Sequence, residues 1–428
     1  MAEEANPVTL ENSVAEADEI FIGRQPILGR AHELFAYELL FRSGRQKNSA
    51  EVSDNLVATA NVIMHAFVDL GVEQALGPYK GFINCDEALL LSDLLEALPC
   101  DKIVLEVLET VEVTPVIVER CRDLKARGFT LALDDFVDYE DKFKPLLELV
   151  EIVKVDLMPL DAAGLMATTE ALQKWPLKLL AEKVDSRAQA DHCHGIGYDY
   201  FQGYYFAKPV IIAGRKLGHS QLSLMRLLGL VLEDAETTKL ESVLKTEPGL
   251  TMNLMRLTNS AASGVRTKVT SIRHAITVLG RRQLQRWLQL LLYTNPSGGT
   301  GISPLLQLAA SRGRLMELLA AKVKPGQREF EDHSFMTGIM SLMPTLMSAP
   351  FEEILSGIEL AKAVREALEE RTGNLGLMLQ LTEALETADG EACQLLTRQL
   401  PGLDAGAVNS CLAQALAWAN NIGKEGSN

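Results

Sequence analysis

Apolar runs of strand length alternate with amphipathic segments of helical spacing through the first half of the chain. Two apolar runs, at 20–28 and 33–41, flank a short turn at Gly29 and predict an antiparallel hairpin. Each later run follows a helical segment, and these runs predict strands at 81–84, 103–106, 131–135, 152–156, 179–182 and 198–201. Alternating strands and helices are typical of a parallel sheet, and about eight strands favour a closed (β/α)8 barrel with a reversed first strand. An open doubly wound sheet is the alternative, although no glycine-rich turn follows the first strand to support it.

The second half of the chain has a different pattern. After Lys208-Pro209 the apolar positions recur at helical spacing, which predicts an all-α domain with short connections. The predicted helices lie at 221–232, 238–245, 249–259, 272–279, 281–293, 303–321, 330–347, 351–355, 360–369 and in two further C-terminal stretches. The predicted fold class is therefore α/β plus all-α. We expect a disordered acidic N-terminus at 1–18, the barrel at 19–212 and the helical domain at 213–428.

Charge and composition restrict the class of protein. The 428 residues carry a net charge of −16, which argues against a general nucleic-acid binder and against a membrane-surface protein. The first residues lack the basic and apolar regions of a signal peptide, and no run reaches membrane-spanning length. The six cysteines include no CxxC pair, as expected for reduced thiols. We therefore predict a cytoplasmic protein.

Polar residues stand at the ends of the predicted strands, one strand after another. A single residue of this kind is usually a solvated side chain at a loop rim, but the C-terminal ends of barrel strands meet on one rim. A set of carboxylates with an amide oxygen is suited to Mg²⁺ or Mn²⁺, and two such ions can clamp a phosphodiester while a water attacks it. The strand-end residues are Glu38, Asn84, Glu106, Asp134, Asp135, Lys154, Glu182 and Gln202. The pattern predicts a metal-dependent site, in which Lys154 and Glu182 would orient or deprotonate the water.

These residues belong to short motifs that resemble the EAL family of cyclic di-GMP phosphodiesterases over about residues 19–210. In chain order the motifs are Gln25-Pro26-Ile27, Glu38-Leu39-Leu40-x-Arg42, Ile83-Asn84, Glu106-x-x-Glu109, Asp134-Asp135-Phe136, Lys154-Val155-Asp156, Ala181-Glu182-x-Val184 and Gln202-Gly203-Tyr204-x-Phe206. The family opens cyclic di-GMP to the linear dinucleotide pGpG, so the resemblance implies a modified (β/α)8 barrel with this activity.

The resemblance also implies residue roles. A two-metal site for Mg²⁺ or Mn²⁺ would use Glu38, Asn84, Glu106 and Asp134 for one ion, and Asp134 with Asp135 for the second. The nucleophilic water would be positioned by Lys154, Glu182 and Gln202, with Glu182 as general base. The substrate would be contacted by Gln25, Arg42 and Asp156, and Glu109 would stabilise the loop after Asp135.

The sequence departs from the family pattern at two places. The signature reads Glu38-Leu39-Leu40, with leucine in place of alanine. The loop at 137–141 contains no glycine and extra acids, whereas members that turn over well carry a Gly-Thr-Gly-Tyr-Ser-like loop there. Two functions therefore stay open: an enzyme coupled to the helical domain, or a barrel without turnover that acts as a cyclic di-GMP sensor or scaffold.

The helical half resembles the HDOD domain, an all-α relative of the HD phosphohydrolases, over roughly residues 213–400. The resemblance is carried by Glu247-Pro248-x-Leu250, Leu257-Thr258-Asn259-Ser260, Ala275-Ile276-x-x-Leu279-Gly280 and Phe335-x-x-Gly338. The histidines after Lys216 (His219, His274 and His333) include no His-Asp pair, so a second metal centre is not expected. We expect a regulatory or interaction module with a protein partner, with a homodimer as one candidate assembly.

Residues 248–316 contain no acidic residue. The window carries Arg256, Arg266, Lys268, Arg273, Arg281, Arg282, Arg286, Arg312 and Arg314. A solvated helical face is the favoured interpretation, and a docking surface for an acidic partner is the alternative. Without interleaved aromatic residues, the window gives no specific support for nucleic-acid binding.

Overall fold

The computed structural model describes residues 20–31, 33–43, 76–203, 219–259, 269–293, 304–347, 350–354 and 360–422. The predicted acidic N-terminus at 1–18 and the helical segment expected before the strand at 81–84 lie outside these residues, except that residues from 76 onward are described.

The first half forms a closed barrel of strands in chain order β1 to β8. The strands are β1 Ile20–Gly29, β2 Leu34–Ser43, β3 Lys80–Cys85, β4 Ile103–Val107, β5 Thr130–Phe136, β6 Ile152–Asp156, β7 Lys178–Glu182 and β8 Tyr200–Phe201. β1 pairs antiparallel with both β2 and β8, whereas the pairs from β2–β3 to β7–β8 are parallel. The predicted barrel with a reversed first strand is confirmed, and the open doubly wound sheet is wrong.

Short helices connect the parallel strands. They are α1 Glu87–Leu91, α2 Pro115–Ala126, α3 Lys144–Leu147, α4 Ala162–Leu172 and α5 Arg187–Gly195, with 3-10 turns at Asp93–Ala97 and Asp141–Phe143. Polar N-caps begin several of them, since the side chains of Thr114, Asp161 and Ser186 accept backbone N–H groups at the starts of α2, α4 and α5. Each cap fixes the point at which a strand-to-helix loop ends, and these loops lie at the C-terminal rim of the barrel.

The second half is helical. Its helices are α6 His219–Leu232, α7 Thr237–Lys245, α8 Pro248–Thr258, α9 Ile272–Leu291, α10 Pro304–Val323, α11 Arg328–Met340, α12 Met343–Met347, α13 Phe351–Ile354, α14 Lys362–Glu370, α15 Gly373–Glu386, α16 Gly390–Gln399 and α17 Ala405–Ile422. Among the described residues, none of these helices is both long and apolar enough to cross a bilayer.

The predicted break at Gly280 is confirmed: α9 consists of two helical segments joined at Gly280, whose φ of 74° and ψ of 159° are not helical and suit a residue without Cβ. Two other predicted helix boundaries are wrong. The predicted helix at 330–347 is two helices, α11 and α12, and the last segment holds three helices, α15 to α17, where two were expected. Apolar periodicity continues across these breaks, so it does not reveal them.

The helical half packs on the outer face of β1 and β2. Tyr37 Oη donates a buried hydrogen bond of 2.7 Å to Gln307 Oε1 on α10, and the Arg24 guanidinium lies 4.0 Å from the centre of the Tyr37 ring. A Cβ on Gly23 would come within 2.8 Å of the Leu385 carbonyl oxygen on α15, so glycine permits this close approach. Because side chains alternate along a strand, β1 and β2 direct Arg24 and Tyr37 to the helices and the neighbouring residues into the barrel.

The described arginines of the acid-free window pair with acids from other parts of the chain. Arg282 Nε lies 2.5 Å from Asp332 Oδ1 on α11, and Arg286 pairs with both Asp332 and Glu317. Further along, Arg273 pairs with Glu241 at 3.0 Å. These ion pairs offset the charge of the arginines involved, whereas Arg266, Lys268 and the side chain of Arg256 lie outside the described residues, so the docking surface stays a prediction.

Candidate active site

A layer of apolar side chains inside the barrel lies directly beneath the site. The layer is formed by Ile27, Ala36, Phe82, Val104, Ala132, Ile152 and Leu180, with Phe35 and Tyr200 packed against it. Because side chains alternate along a strand, the residue two positions further on the same strand faces the same side. On β2 to β8, the residues two positions beyond this layer are Glu38, Asn84, Glu106, Asp134, Lys154, Glu182 and Gln202. On the antiparallel β1, the corresponding residue lies two positions before Ile27 and is Gln25. The apolar layer is therefore the floor of a polar site at one end of the barrel.

Asp134 and Asp135 reach the same end because the backbone turns between them. Adjacent strand residues normally point to opposite faces, but Asp135 has a φ of 43° and breaks that alternation. The left-handed region costs an ordinary residue about 1–2 kcal/mol. The pairing of β5 with β6 is irregular at the same point, between Leu133 and Phe136.

Lys154 is the centre of the site. Its ammonium nitrogen lies 2.7 Å from Glu106 Oε1, 2.7 Å from Asp134 Oδ1, 2.8 Å from Glu182 Oε1 and 3.5 Å from Glu38 Oε2. Lys154 is 1% exposed and Glu106 is fully buried. One lysine faces four carboxylates, so the group lacks positive charge when all of them are ionised.

A second set of hydrogen bonds orients Glu38. Asn84 Nδ2 donates to Glu38 Oε1 at 3.0 Å, and Gln202 Nε2 donates to Glu38 Oε2 at 2.5 Å and to Gln25 Oε1 at 3.1 Å. The side chains from β1, β2, β3 and β8 thus form one network with the lysine cluster. The structure therefore brings together eight of the predicted site residues: Gln25, Glu38, Asn84, Glu106, Asp134, Lys154, Glu182 and Gln202.

Burial and the surrounding charges shift the acid–base properties of the cluster. Burial raises the pKa of Glu182 to about 8 and that of Glu106 well above its usual value, and Lys154 only partly opposes this. Burial also raises the pKa of Asp134. Burial would raise the pKa of Glu38 as well, but Lys154 and the two amide donors outweigh it and lower that pKa. Burial would lower the pKa of Lys154, yet the four carboxylates raise it well above its usual value.

The donor set fits divalent metal. Within the described part of the site, five buried oxygens have no hydrogen-bond partner: Asn84 Oδ1, both carboxylate oxygens of Glu106, Glu182 Oε2 and Gln202 Oε1, although Glu106 Oε1 keeps its ion pair with Lys154. Buried polar atoms rarely remain unpaired without a functional reason. Beside them, Glu109, Asp134 and Asp135 offer carboxylate oxygens within 4.8 Å of one another. Hard oxygen ligands of this kind match Mg²⁺, Mn²⁺ or Ca²⁺.

The loop after Asp135 is held without glycine. The Val137 carbonyl accepts a hydrogen bond of 2.9 Å from Thr168 Oγ1, and the Phe136 and Phe143 rings meet edge to face at 5.2 Å between centres. A cavity of about 220 Å³ opens between this loop and the ends of β4 and β5. Its lining includes Glu109, Asp134, Asp135, Asp138 and Glu140. There is therefore room for a ligand beside the acidic cluster.

Three predicted site residues remain to be placed: Arg42, Glu109 and Asp156. The Arg42 side chain lies outside the described part of the structure, so its predicted contact with substrate stays a prediction. Glu109 is exposed and lies with Asp134 and Asp135, and its predicted role in stabilising the loop is likewise a prediction. Asp156 is buried at the end of β6, where its Oδ1 accepts the Met158 backbone N–H at 2.9 Å.

Sequence reasoning missed Lys183. Its ammonium lies 2.8 Å from Asp135 Oδ1 and 2.7 Å from Asp156 Oδ2, so it bridges two predicted site residues. Strand alternation would direct the residue after Glu182 away from the site. The left-handed φ of 55° at Lys183 reverses that direction, and a lysine at this position does not signal such a conformation as a glycine would.

Metal binding is expected to tighten with rising pH. Glu182, with a pKa of about 8, holds a proton beside the proposed metal ligands at neutral pH, and a bound divalent ion favours the release of that proton. Mn²⁺ affinity should rise by about tenfold per pH unit for each proton displaced, and should level off above the Glu182 pKa of about 8. Calorimetric titration in buffers of different ionisation enthalpy counts the released protons. Constant affinity from about pH 6 to 8 without proton release would contradict the prediction.

Comparison with known proteins identifies the family to which the chain belongs. A model described as EAL domain matches residues 9–209, and one described as HDOD domain matches residues 219–379. The uncharacterized protein YuxH of Bacillus subtilis (strain 168) is 30% identical over 411 residues, covering 94% of this chain and 98% of that protein. Cyclic di-GMP phosphodiesterase CdgJ of Vibrio cholerae serotype O1 is 30% identical over 407 residues, covering 94% of this chain and 93% of that protein.

Among solved structures, the Bacillus subtilis YkuI protein, with an EAL domain, in complex with substrate c-di-GMP and calcium, aligns with a TM-score of 0.39. It is 17% identical and covers 62% of this chain and 73% of that chain. The two matched domains and the two full-length relatives lead to one conclusion. The chain belongs to the EAL domain family, in the form in which an HDOD domain follows the EAL domain.

Proposed function

We propose that this protein is a metal-dependent phosphodiesterase that opens cyclic di-GMP to linear pGpG. The observation that carries the proposal is the single inward face on which Glu38, Asn84, Glu106, Asp134 and Glu182 lie around Lys154. The relative CdgJ, which is named as a cyclic di-GMP phosphodiesterase, supports the choice of substrate. The described contacts give no specific support to a barrel that has lost turnover.

We propose Mg²⁺ or Mn²⁺ as the metals. Glu38, Asn84, Glu106 and Asp134 would hold one ion, and Asp134 with Asp135 the other. Divalent ions there would polarise the phosphodiester and favour ionisation of a bound water. All of these ligands offer oxygen, and the orphaned oxygens of Asn84 and Glu106 support this assignment.

Side chains of the protein would accept the proton of the attacking water and bind the substrate. Glu182 Oε1 is tied to Lys154, whereas Glu182 Oε2 is unpaired and is the atom that would accept the proton of the attacking water. Lys154 and Gln202 would hold that water in place, since Lys154 contacts Glu182 directly and Gln202 joins the same network through Glu38. Gln25, Arg42 and Asp156 would contact the nucleotide.

The helical half is proposed to regulate the barrel or to bind a protein partner, with a homodimer as a candidate assembly in the cytoplasm. Its contact with β1 and β2, the strands that carry Gln25 and Glu38, supports a link between the two halves. The domain limits proposed from sequence are 19–212 and 213–428.

One assay tests the activity. Purified protein is incubated with cyclic di-GMP and Mg²⁺ or Mn²⁺, and the linear product is separated by chromatography. Product that appears only with metal supports the proposal. Intact cyclic di-GMP at all metal concentrations, from protein that binds both metal and nucleotide, would instead favour the sensor.

Asp134→Asn is expected to weaken Mn²⁺ binding at least tenfold. Asp134 is the carboxylate shared between the two proposed metals, and asparagine keeps its size while it removes the charge. The matched control is Asp161→Asn, at the exposed N-cap of α4, where the amide oxygen still accepts the Gly164 N–H. Calorimetric titration of Mn²⁺ measures both variants, and equal affinity in Asp134→Asn and wild type would remove Asp134 from the metal site.

A further inference from the structure

Lys183 stands at the junction of three strand ends. The Glu182 carbonyl accepts the Leu157 N–H at 3.4 Å from the β6 side, and the Val184 N–H donates to the Gln202 carbonyl at 3.1 Å on the β8 side. A Cβ on Gly203 would lie 2.2 Å from the Val184 nitrogen, so the chain is tightly packed on this side. The backbone that carries Lys183 is therefore fixed between its neighbours.

Both partners of one ion pair have a left-handed backbone. Asp135 has a φ of 43° and Lys183 a φ of 55°, and the two side chains meet at 2.8 Å. Non-glycine residues in this region are uncommon and concentrate at functional sites. Each turn directs toward the rim a side chain that strand alternation would send away from it.

The ammonium of Lys183 is paired with Asp135, a carboxylate that is expected to bind a metal ion. Asp135 belongs to the carboxylate cluster with Glu109 and Asp134, and its Oδ1 is already paired with Lys183. Lys183 donates hydrogen bonds to both Asp135 and Asp156, and an ammonium between two carboxylates is a cation at this position. An ion bound to Asp135 would lie within a few ångströms of this positive charge, and like charges at such distances repel strongly.

Lys183 has a second anchor. It lies 2.7 Å from Asp156 Oδ2, and 42% of its side chain is exposed, so the ammonium can leave Asp135 and remain on Asp156. Lys154, in contrast, is 1% exposed and surrounded by carboxylates. The two lysines of the site thus differ in their freedom to move.

We propose that Lys183 is a positioning residue that competes as a tethered cation with the second divalent metal for Asp135. The inference rests on the proposed metal-dependent function and specifies how that site is regulated. The second metal binds as the lysine withdraws to Asp156, which makes occupancy of the second position weak and dependent on the metal concentration. The buried first position does not contact Lys183 and is unaffected.

Lys183→Met tests the proposal on the full-length protein. Methionine keeps the length of the side chain and the strained backbone but removes the charge. Mn²⁺ is titrated at low salt, and the bound fraction is followed by the electron paramagnetic resonance signal of the free ion. We expect the second Mn²⁺ to bind on the order of tenfold more tightly than in wild type, with the first unchanged.

Two further variants make the result specific. Lys178→Met removes a lysine at the opposite end of the same strand, where it pairs with Asp199 at 2.8 Å, and should leave both Mn²⁺ affinities as in wild type. Lys183→Arg keeps the charge and should restore the weak second site. Thermal unfolding of all three variants checks that they are folded.

The outcomes are distinct. A second-site affinity in Lys183→Met that is equal to or weaker than that of wild type, or an equal gain in Lys178→Met, would overturn the role of Lys183 and leave the proposed function intact. A wild-type protein that binds no Mn²⁺ would overturn the metal-dependent function and this inference with it.

Discussion

Glu182→Gln is expected to lower kcat about 10²–10⁴-fold, the usual contribution of a positioned acid–base group. Glutamine has the size of glutamate and can still accept the hydrogen bond of Lys154 through its carbonyl oxygen. It cannot accept the proton of the attacking water, which is the task proposed for the unpaired Glu182 Oε2. Substrate affinity should change little, because Glu182 is not among the residues proposed to contact the nucleotide.

The measurement combines steady-state hydrolysis of cyclic di-GMP with equilibrium binding of the same nucleotide. Glu170→Gln, an exposed carboxylate on α4, is the matched control and should retain the rate of wild type. A Glu182→Gln variant with full kcat would remove Glu182 from the mechanism. If nucleotide affinity falls as far as kcat does, Glu182 binds substrate and is not the general base.

The barrel was predictable because its pattern is local. Each strand shows its own apolar run, and the polar residue at its end lies two positions beyond a buried floor residue, as with Val104 and Glu106 or Ile152 and Lys154. Parallel strands then bring these ends together without any further information. The candidate site therefore followed from the order of short motifs.

Lys183 was not predictable in the same way. Its place in the site depends on a left-handed φ at a lysine, beside the point where the Val184 backbone packs closely against Gly203. Sequence patterns signal positive φ through glycine or asparagine. A residue that strand alternation places outside the site is thus directed into it by tertiary structure alone.

The charge of the helical half illustrates the same limit. Along the sequence, residues 248–316 form a long stretch without acids, but Asp332 and Glu386 come from helices further along the chain. Ion pairs between distant segments have no local signature. Net charge within a window therefore gives no reliable indication of the charge on a folded surface.

Arg312→Met is expected to reduce the free energy of unfolding by about 1–3 kcal/mol, the typical cost of leaving a hydrogen-bonded group without its partner, since Arg312 is buried and Glu386 is half-buried. Arg312 lies on α10 with 7% of its surface exposed. Its Nε donates to Glu386 Oε1 at 2.9 Å, its Nη2 pairs with the other oxygen of Glu386, and its Nη1 donates to Ser341 Oγ at 2.6 Å. Methionine fills part of the volume but leaves the Glu386 carboxylate without its bidentate partner.

Arg282→Met is the matched control. Arg282 also pairs with acids, but its side chain is 43% exposed, and such a pair contributes about 0–1 kcal/mol. The double variant Arg312→Met with Glu386→Leu should recover part of the loss, because it removes the carboxylate that the single variant strands. Urea unfolding, followed by circular dichroism, measures all three. If Arg312→Met costs no more than Arg282→Met, the Arg312–Glu386 pair is not a determinant of the packing between α10 and α15.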